Sequence, residues 1–419
     1  MRIGSIIAML GTLLFAATAG KADERPPNVV LIISDDQAWT DFGFMGHEVI
    51  RTPRLDRLAA DSATFRNGYV PTSLCRASLA TLLTGLYPHQ NKICCNDPPR
   101  GAPRSSMWSF IEEVPTLPRL LAGHGYVSLQ TGKFWEQHYA KAGFTDGMTI
   151  KGRHGEAGLD IGRKTMQPIV DFIDEHRTDP FFIWYAPMMP HEPHNPPARF
   201  LKKYTTDNRP IKLAKYYAMC EWFDETCGFV LDEIDRQGLH DNTLIVFIVD
   251  NGWIQQTGPS RATRGWFAPK SKLSPYDGGL RTPILFRWPG HTKPGVYDDL
   301  VSSIDIVPTI LSACRVDVPD SLPGMNLLKT AAGEGPLARD AVFGELFTHT
   351  ATDVNHPAAN LTYRWVRQDD WKLVVPNDPT ASVELYDLSS DPFEEHNVAQ
   401  QHPDRVALLR EKLDAWWLP

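Results

Sequence analysis

The stretch Asn28–Ser34 reads NVVLIIS and runs directly into Asp35-Asp36. Its interior is apolar and rich in β-branched residues, the pattern of a strand buried on both faces of a parallel sheet. Thr243–Val249 (TLIVFIV) repeats it and ends on Asp250-Asn251-Gly252. Phe181–Ala186 (FFIWYA) is a third such run, followed by Pro190-His191, and residues 284–288 (ILFRW) are a fourth. Helical patterns over residues 52–62, 78–84, 117–124 and 212–237 lie between them. Strands alternating with helices predict an α/β fold with a large, mostly parallel central sheet covered on both sides. Ligands of such sheets bind beyond the strand C-termini, where the polar clusters fall.

Asp35, Asp36, Asp250 and Asn251 put three carboxylates and an amide at strand ends. Adjacent acids repel unless positive charge lies between them, and an all-oxygen set favours a hard cation, Ca²⁺ or Mg²⁺. Asp and Asn also form turns and caps; two such pairs, each after a buried strand, favour the metal.

The 419 residues suffice for a large domain and a smaller one. With 42% hydrophobic and 22% charged residues, the composition is that of a globular protein. A net charge of −8 argues against a nucleic-acid partner, while leaving room for a local basic pocket facing an anionic substrate. Residues 1–19 read as a signal peptide. Arg2 is followed by a mostly apolar run too short to span a bilayer, then by Ala17-Thr18-Ala19, with cleavage after residue 19 or as late as residue 22. Export to the periplasm or the medium is expected, with no membrane attachment after cleavage. The six cysteines show no dense disulfide framework. Cys220 and Cys227, two helical turns apart, would have Cα atoms about 10 Å apart, too far for a bridge.

From about residue 325 the pattern changes. Residues 327–357 are loop-rich, 363–375 and 383–388 suggest short antiparallel strands, and 403–417 suggest an amphipathic helix. The expected division is a catalytic domain over 25–325 and an α+β subdomain with a small antiparallel sheet over 326–419.

Residues 71–89, PTSLCRASLATLLTGLYPH, resemble the signature of the formylglycine-dependent sulfatases, in which a cysteine opens the motif and T-G-x-Y-P closes it; Cys75 stands ten residues before Gly85. The resemblance extends over nearly the whole chain after the signal and implies an alkaline-phosphatase-like α/β sandwich. It implies that Cys75 is oxidised to formylglycine by a transiently bound modifying machinery. One hydroxyl of the hydrated aldehyde would attack sulfur, and the other would collapse to expel sulfate. The metal ligands it implies are Asp35, Asp36, Cys75, Asp250 and Asn251, with Ca²⁺ ahead of Mg²⁺. Lys133 in Thr131-Gly132-Lys133 matches the sulfate-contacting lysine, and His191 in Pro190-His191-Glu192-Pro193 the histidine at the scissile ester. Lys272 matches the second catalytic lysine, with Lys270 as a rival; His191 and Lys272 are the candidate proton donors to the leaving alcohol.

The chain departs from the pattern where Ala77 replaces a proline and Leu79 an arginine. Trp135 also stands where a histidine usually follows the lysine motif. His138 would share a helical face with Trp135 and is the candidate replacement. The expected activity is hydrolysis of sulfate esters of a carbohydrate or aryl alcohol. Phosphodiester or phosphonate monoester hydrolysis on the same fold, and non-catalytic binding of sulfated ligands with Cys75 unmodified, are the alternatives.

Overall fold

A computed structural model describes residues 25–258 and 266–419; the expected signal peptide lies outside the described residues. Within them, nine strands form one sheet: β1 (Asn28–Ser34), β2 (Ala63–Tyr69), β3 (Val127–Gly132), β4 (Asp146–Gly147), β5 (Phe181–Ala186), β6 (Thr243–Val249), β7 (Arg281–Arg287), β8 (Gly295–Tyr297) and β9 (Val301–Ser302). Their order is β4-β3-β5-β1-β6-β7-β2-β8, with β9 also on β2.

The three longest apolar runs are the three central strands, and pleating explains why neither face of them is polar. Val29, Leu31 and Ile33 of β1 join Leu244, Val246 and Ile248 of β6 in one core layer, against the helices Cys75–Thr84 and Ile306–Ala313. Val30, Ile32, Ile245, Phe247 and Val249 enter the opposite layer, against Met219, Phe223, Cys227 and Val230 of the long helix Ile211–Arg236. Each such side chain contributes roughly 1.5–3 kcal/mol by leaving water.

β7 differs from the parallel expectation: it runs antiparallel to both β6 and β2. Among the described residues between β6 and β7 the only helix is the single turn Asp277–Leu280. β7 starts at the end of the sheet where β6 stops. The strands β2 and β3 carry mixed sequences (ATFRNGY and VSLQTG) and escape the apolar-run criterion.

The second sheet is antiparallel, β10 (Val342–Phe347), β11 (Leu361–Gln368), β12 (Trp371–Pro376) and β13 (Glu384–Asp387), in that order. β10 falls within the stretch expected to be loop-rich. One face buries Val366, Leu373, Val375 and Leu385 under Leu409 and Leu413 of the helix Pro403–Trp416. The other face packs on the core of the large sheet through Trp365 and Val374. Pro71 O accepts the Glu345 backbone N–H at 3.0 Å and the Trp365 indole N–H at 3.1 Å. Gly344 makes this approach feasible, since a Cβ there would lie 2.1 Å from Pro71 O. The small sheet thus holds the segment that leads into Cys75.

Gly132, the last residue of β3, has φ +78°, and a Cβ on it would lie 1.9 Å from Ala186 O. Gly132→Ala is expected to cost about 2 kcal/mol or more of unfolding free energy, read as a lower denaturation midpoint.

Candidate active site

Strand register brings the acids together. Ser34 pairs with Val249, and Asp250 N donates to Ser34 O at 2.9 Å, so Asp35 and Asp250 follow side by side. Asp36 adopts φ +60°, a left-handed conformation that aspartate tolerates better than most residues, and its N–H donates to Asp250 Oδ1 at 3.1 Å. Lys133 leaves β3 with its N–H on Ala186 O at 2.7 Å. Asp35 N donates to Met189 O at 3.0 Å, drawing the chain beyond β5 against β1 and carrying His191 to the site. Arg163 braces that loop, donating to Met188 O at 2.5 Å and His191 O at 3.0 Å. Cys75 is the first residue of its helix.

The side chains form one buried cluster. Lys133 Nζ lies 2.7 Å from Asp35 Oδ1 and 3.8 Å from Asp250 Oδ2. Lys272 Nζ lies 2.6 Å from both oxygens of Asp36. Asn251 Nδ2 donates to Asp36 Oδ1 at 2.7 Å, and Cys75 Sγ is 4.0 Å from the same oxygen. His191 Nδ1 faces Glu192 O at 2.7 Å; a carbonyl only accepts, so Nδ1 carries the proton and Nε2 faces Asp36 Oδ2 at 3.3 Å.

The charges respond to this crowding. Burial works against ionised Asp36, but Lys272, His191 and Lys133 outweigh it and hold its carboxyl well below the usual range. Asp250 moves the other way, raised by burial and by Asp35. Burial disfavours the charge on Lys133, yet Asp35, Cys75 and Asp250 raise it well above the ordinary lysine value. Burial pushes the Cys75 thiol up to about 11, against the pull of Lys133 and Lys272. Near neutral pH the unmodified side chain is therefore a thiol rather than a nucleophilic thiolate.

Three buried oxygens, Asp35 Oδ2, Asp250 Oδ2 and Asn251 Oδ1, have no hydrogen-bond partner among the described residues. Ligand atoms of Asp35, Asp36, Cys75 and His191 lie within 4.8 Å of one another. Hard oxygens left unpartnered beside acids are the donor set a Ca²⁺ or Mg²⁺ ion takes, so the residues present fit a divalent cation.

The structure separates the two lysines. Lys270 turns away, its Nζ bonded to Glu394 O and over the Tyr276 ring, whereas Lys272 reaches Asp36. His138 does not take the expected place. Residues 133–138 are not helical, and its ring instead accepts the Ala140 N–H. The histidine against Trp135 is His154, with ring centroids 4.5 Å apart. Leu79 enters the core, and Arg76 is buried on Glu136, at 2.8 and 2.7 Å. All six cysteines are free.

Cys75, His191 and Lys272 line a pocket of about 760 Å³ that sequence reasoning only partly foresaw. Arg153, His154 and His349 line it too, as do Trp253, Trp266 and Phe267. The one local signal for the first two is a turn-rich Gly152-Arg-His-Gly155. His349 arrives from the segment after β10.

A family profile for sulfatases matches residues 27–316, and one for the C-terminal region of N-sulphoglucosamine sulphohydrolase matches residues 263–416. The chain is 29% identical to arylsulfatase A of Homo sapiens, with 96% of this chain and 91% of that one aligned. It is 30% identical to N-acetylgalactosamine-6-sulfatase of Homo sapiens over 73% of this chain and 66% of that one. Among solved structures, BT4656 in complex with its substrate D-glucosamine-2-N,6-O-disulfate superposes with TM-score 0.75 at 21% identity, covering 93% of this chain and 97% of that one. The phosphonate monoester hydrolase of Agrobacterium radiobacter gives 0.73, also at 21% identity, over 93% and 95%. The chain belongs to the sulfatase family, and is accordingly a sulfuric ester hydrolase with an alkaline-phosphatase-like fold.

The loop bearing Lys272 is held from below by the C-terminal sheet. Buried Lys372 of β12 bonds Asp277 Oδ1 and Glu394 Oε1, each at 2.8 Å, while Glu394 Oε2 accepts the Asp277 N–H at 2.6 Å. Lys372→Met removes the cation shared by two buried carboxylates, leaving Asp277 only the more distant Arg281 at 4.0 Å, and is expected to cost about 3–5 kcal/mol in a denaturant titration.

Proposed function

We propose that this protein is an exported sulfatase that releases sulfate from a sulfated carbohydrate, using formylglycine derived from Cys75 beside a bound divalent cation. The observation that carries the reading is the set of three unpartnered buried oxygens, on Asp35, Asp250 and Asn251, clustered with two lysines around Cys75. Asp35, Asp36, Asp250 and Asn251 would hold the cation with Cys75 at its edge, Ca²⁺ being preferred to Mg²⁺ by family resemblance. When present, the cation offsets sulfate charge and the hydrated aldehyde supplies the attacking hydroxyl.

The chain's own residues do the rest. Lys133 and Lys272 stay protonated in a buried site, where their charge stabilises the transferring group far better than it would in water. Lys272 Nζ is an atom from which the leaving oxygen would take its proton, and His191 Nε2 is the other, with the ring in its doubly protonated form against Asp36 Oδ2. Carbohydrate as the leaving group draws support from relatives acting on N-acetylgalactosamine sulfates and from the aromatic pocket wall. The 25–325 and 326–419 division remains part of this proposal, with His349 as the smaller unit's contribution to the pocket. The expected segment 1–19 would direct export, and among the described residues no helix is long and apolar enough to cross a membrane.

The decisive measurement is the mass of the Cys75 peptide, with the metal content, of protein purified from its native host. An aldehyde in place of CH₂SH and about one equivalent of Ca²⁺ or Mg²⁺ are expected; an unmodified thiol on active protein would refute the formylglycine assignment. Faster turnover of aryl phosphonate monoesters than of aryl sulfates would favour the phosphonate hydrolase reading. His191→Ala is expected to slow sugar-sulfate hydrolysis roughly 100-fold more than hydrolysis of 4-nitrophenyl sulfate, whose leaving group needs no proton. Equal losses on the two substrates would remove His191 as the donor.

A further inference from the structure

The two lysines at the floor of the pocket are paired with Asp35 and Asp36. Beyond Lys133 and Lys272 in its floor, its rim carries a second cationic group built on Asp97. Arg153 Nε and Nη2 bond the Asp97 carboxylate at 2.8 and 3.0 Å, Arg104 bonds it as well, and His349 Nδ1 stands 3.5 Å away. Burial works against ionised Asp97, but Arg153 and Arg104 hold its carboxyl down at about 2, while burial lowers His349. Two guanidiniums share the Asp97 carboxylate beside the His349 imidazole, while Glu156 accepts the Arg153 backbone N–H at 3.0 Å and Glu192 lines the same pocket. Glu136, which follows Trp135, is spent on Arg76.

Trp135 explains how these cations are held together. Its ring lies 4.7 Å from the Arg153 guanidinium, 5.8 Å from that of Arg104 and 6.0 Å from Lys133 Nζ. An indole face attracts cations through its quadrupole. Trp135 is only 3% exposed, lines the pocket, and its indole N–H has no partner among the described residues. Of the five N–H donors of Arg153, two are used on Asp97 and one faces His154 Nε2 at 2.5 Å, which leaves two. Trp253, Trp266 and Phe267 also line the pocket, aromatic side chains of the kind that pack on sugar rings.

We infer that Arg153, with the Trp135 ring beside its guanidinium, forms a second anion subsite, which reads a carboxylate or a further sulfate on the saccharide whose sulfate ester faces Cys75. The inference rests on the proposed carbohydrate sulfatase reading and narrows its substrate to polyanionic saccharides. Here a tryptophan replaces the family's histidine, and its place in the pocket serves substrate choice.

The test is calorimetric binding to Cys75→Ala protein, which needs no turnover. Three disaccharides are compared: one carrying a single sulfate, the same with a uronic carboxylate, and the same with a second sulfate. The two dianionic ligands, or one of them, are expected to bind at least tenfold tighter than the monosulfated one, and which of them does so identifies the anion. Adding Arg153→Gln should erase that ratio while the monosulfated ligand still binds, which also shows that the variant is folded. Equal affinity for all three ligands, or a ratio that survives Arg153→Gln, overturns the subsite. Failure of the sulfatase reading shows separately, as no sulfate released by the protein with Cys75 intact.

Discussion

Asp35, Asp36 and Asp250 are buried together at one edge of a sheet whose interior is hydrocarbon. Ionised carboxylates so placed repel one another and lose their hydration, a cost no amount of apolar packing offsets. The arrangement of the molecule follows from meeting that cost. Lys133 arrives from β3, His191 from beyond β5 and Lys272 from the segment before β7, and each sets a nitrogen against one of these acids. The three oxygens still without partners mark where positive charge is lacking. A site that is electrostatically incomplete in this way is matched to a divalent cation and an anionic substrate.

The same constraint gives the C-terminal sheet a role in the chemistry. Under the proposed function Lys272 acts only if its loop is held, and that loop is anchored at Asp277 by Lys372 and Glu394. On the other side of Cys75, Pro71 O is tied to Glu345 and Trp365, and Ser73 Oγ donates to Ser274 O at 2.7 Å. Both segments that flank the reacting centre are therefore fastened to the same small sheet and to each other. His349 adds a wall of the pocket from that side.

Much of the fold was legible because burial on both faces leaves a local mark. The runs 28–34, 181–186 and 243–249 are strands with the bounds read from the sequence, and helix 211–236 differs by one residue at each end. β2 and β3 were missed because polar residues interrupt them, Arg66 and Asn67 at a bulge in β2 and Ser128, Gln130 and Thr131 in β3. β10 was missed because Gly344 and Glu345 read as loop, although one allows close contact with Pro71 and the other accepts the His89 N–H at 2.9 Å.

By itself the sequence determined which runs are buried strands, that acids stand at the ends of two of them, and the order of a motif set that runs from Asp35-Asp36 through Cys75. These are properties of residues near one another along the chain. Tertiary structure alone decided that Lys272 rather than Lys270 faces Asp36, that His154 rather than His138 meets Trp135, and that Arg153 and His349 share a pocket with Cys75. Those outcomes depend on the path each loop takes after its strand ends. That path is set by contacts between segments up to a few hundred residues apart, which no local periodicity records.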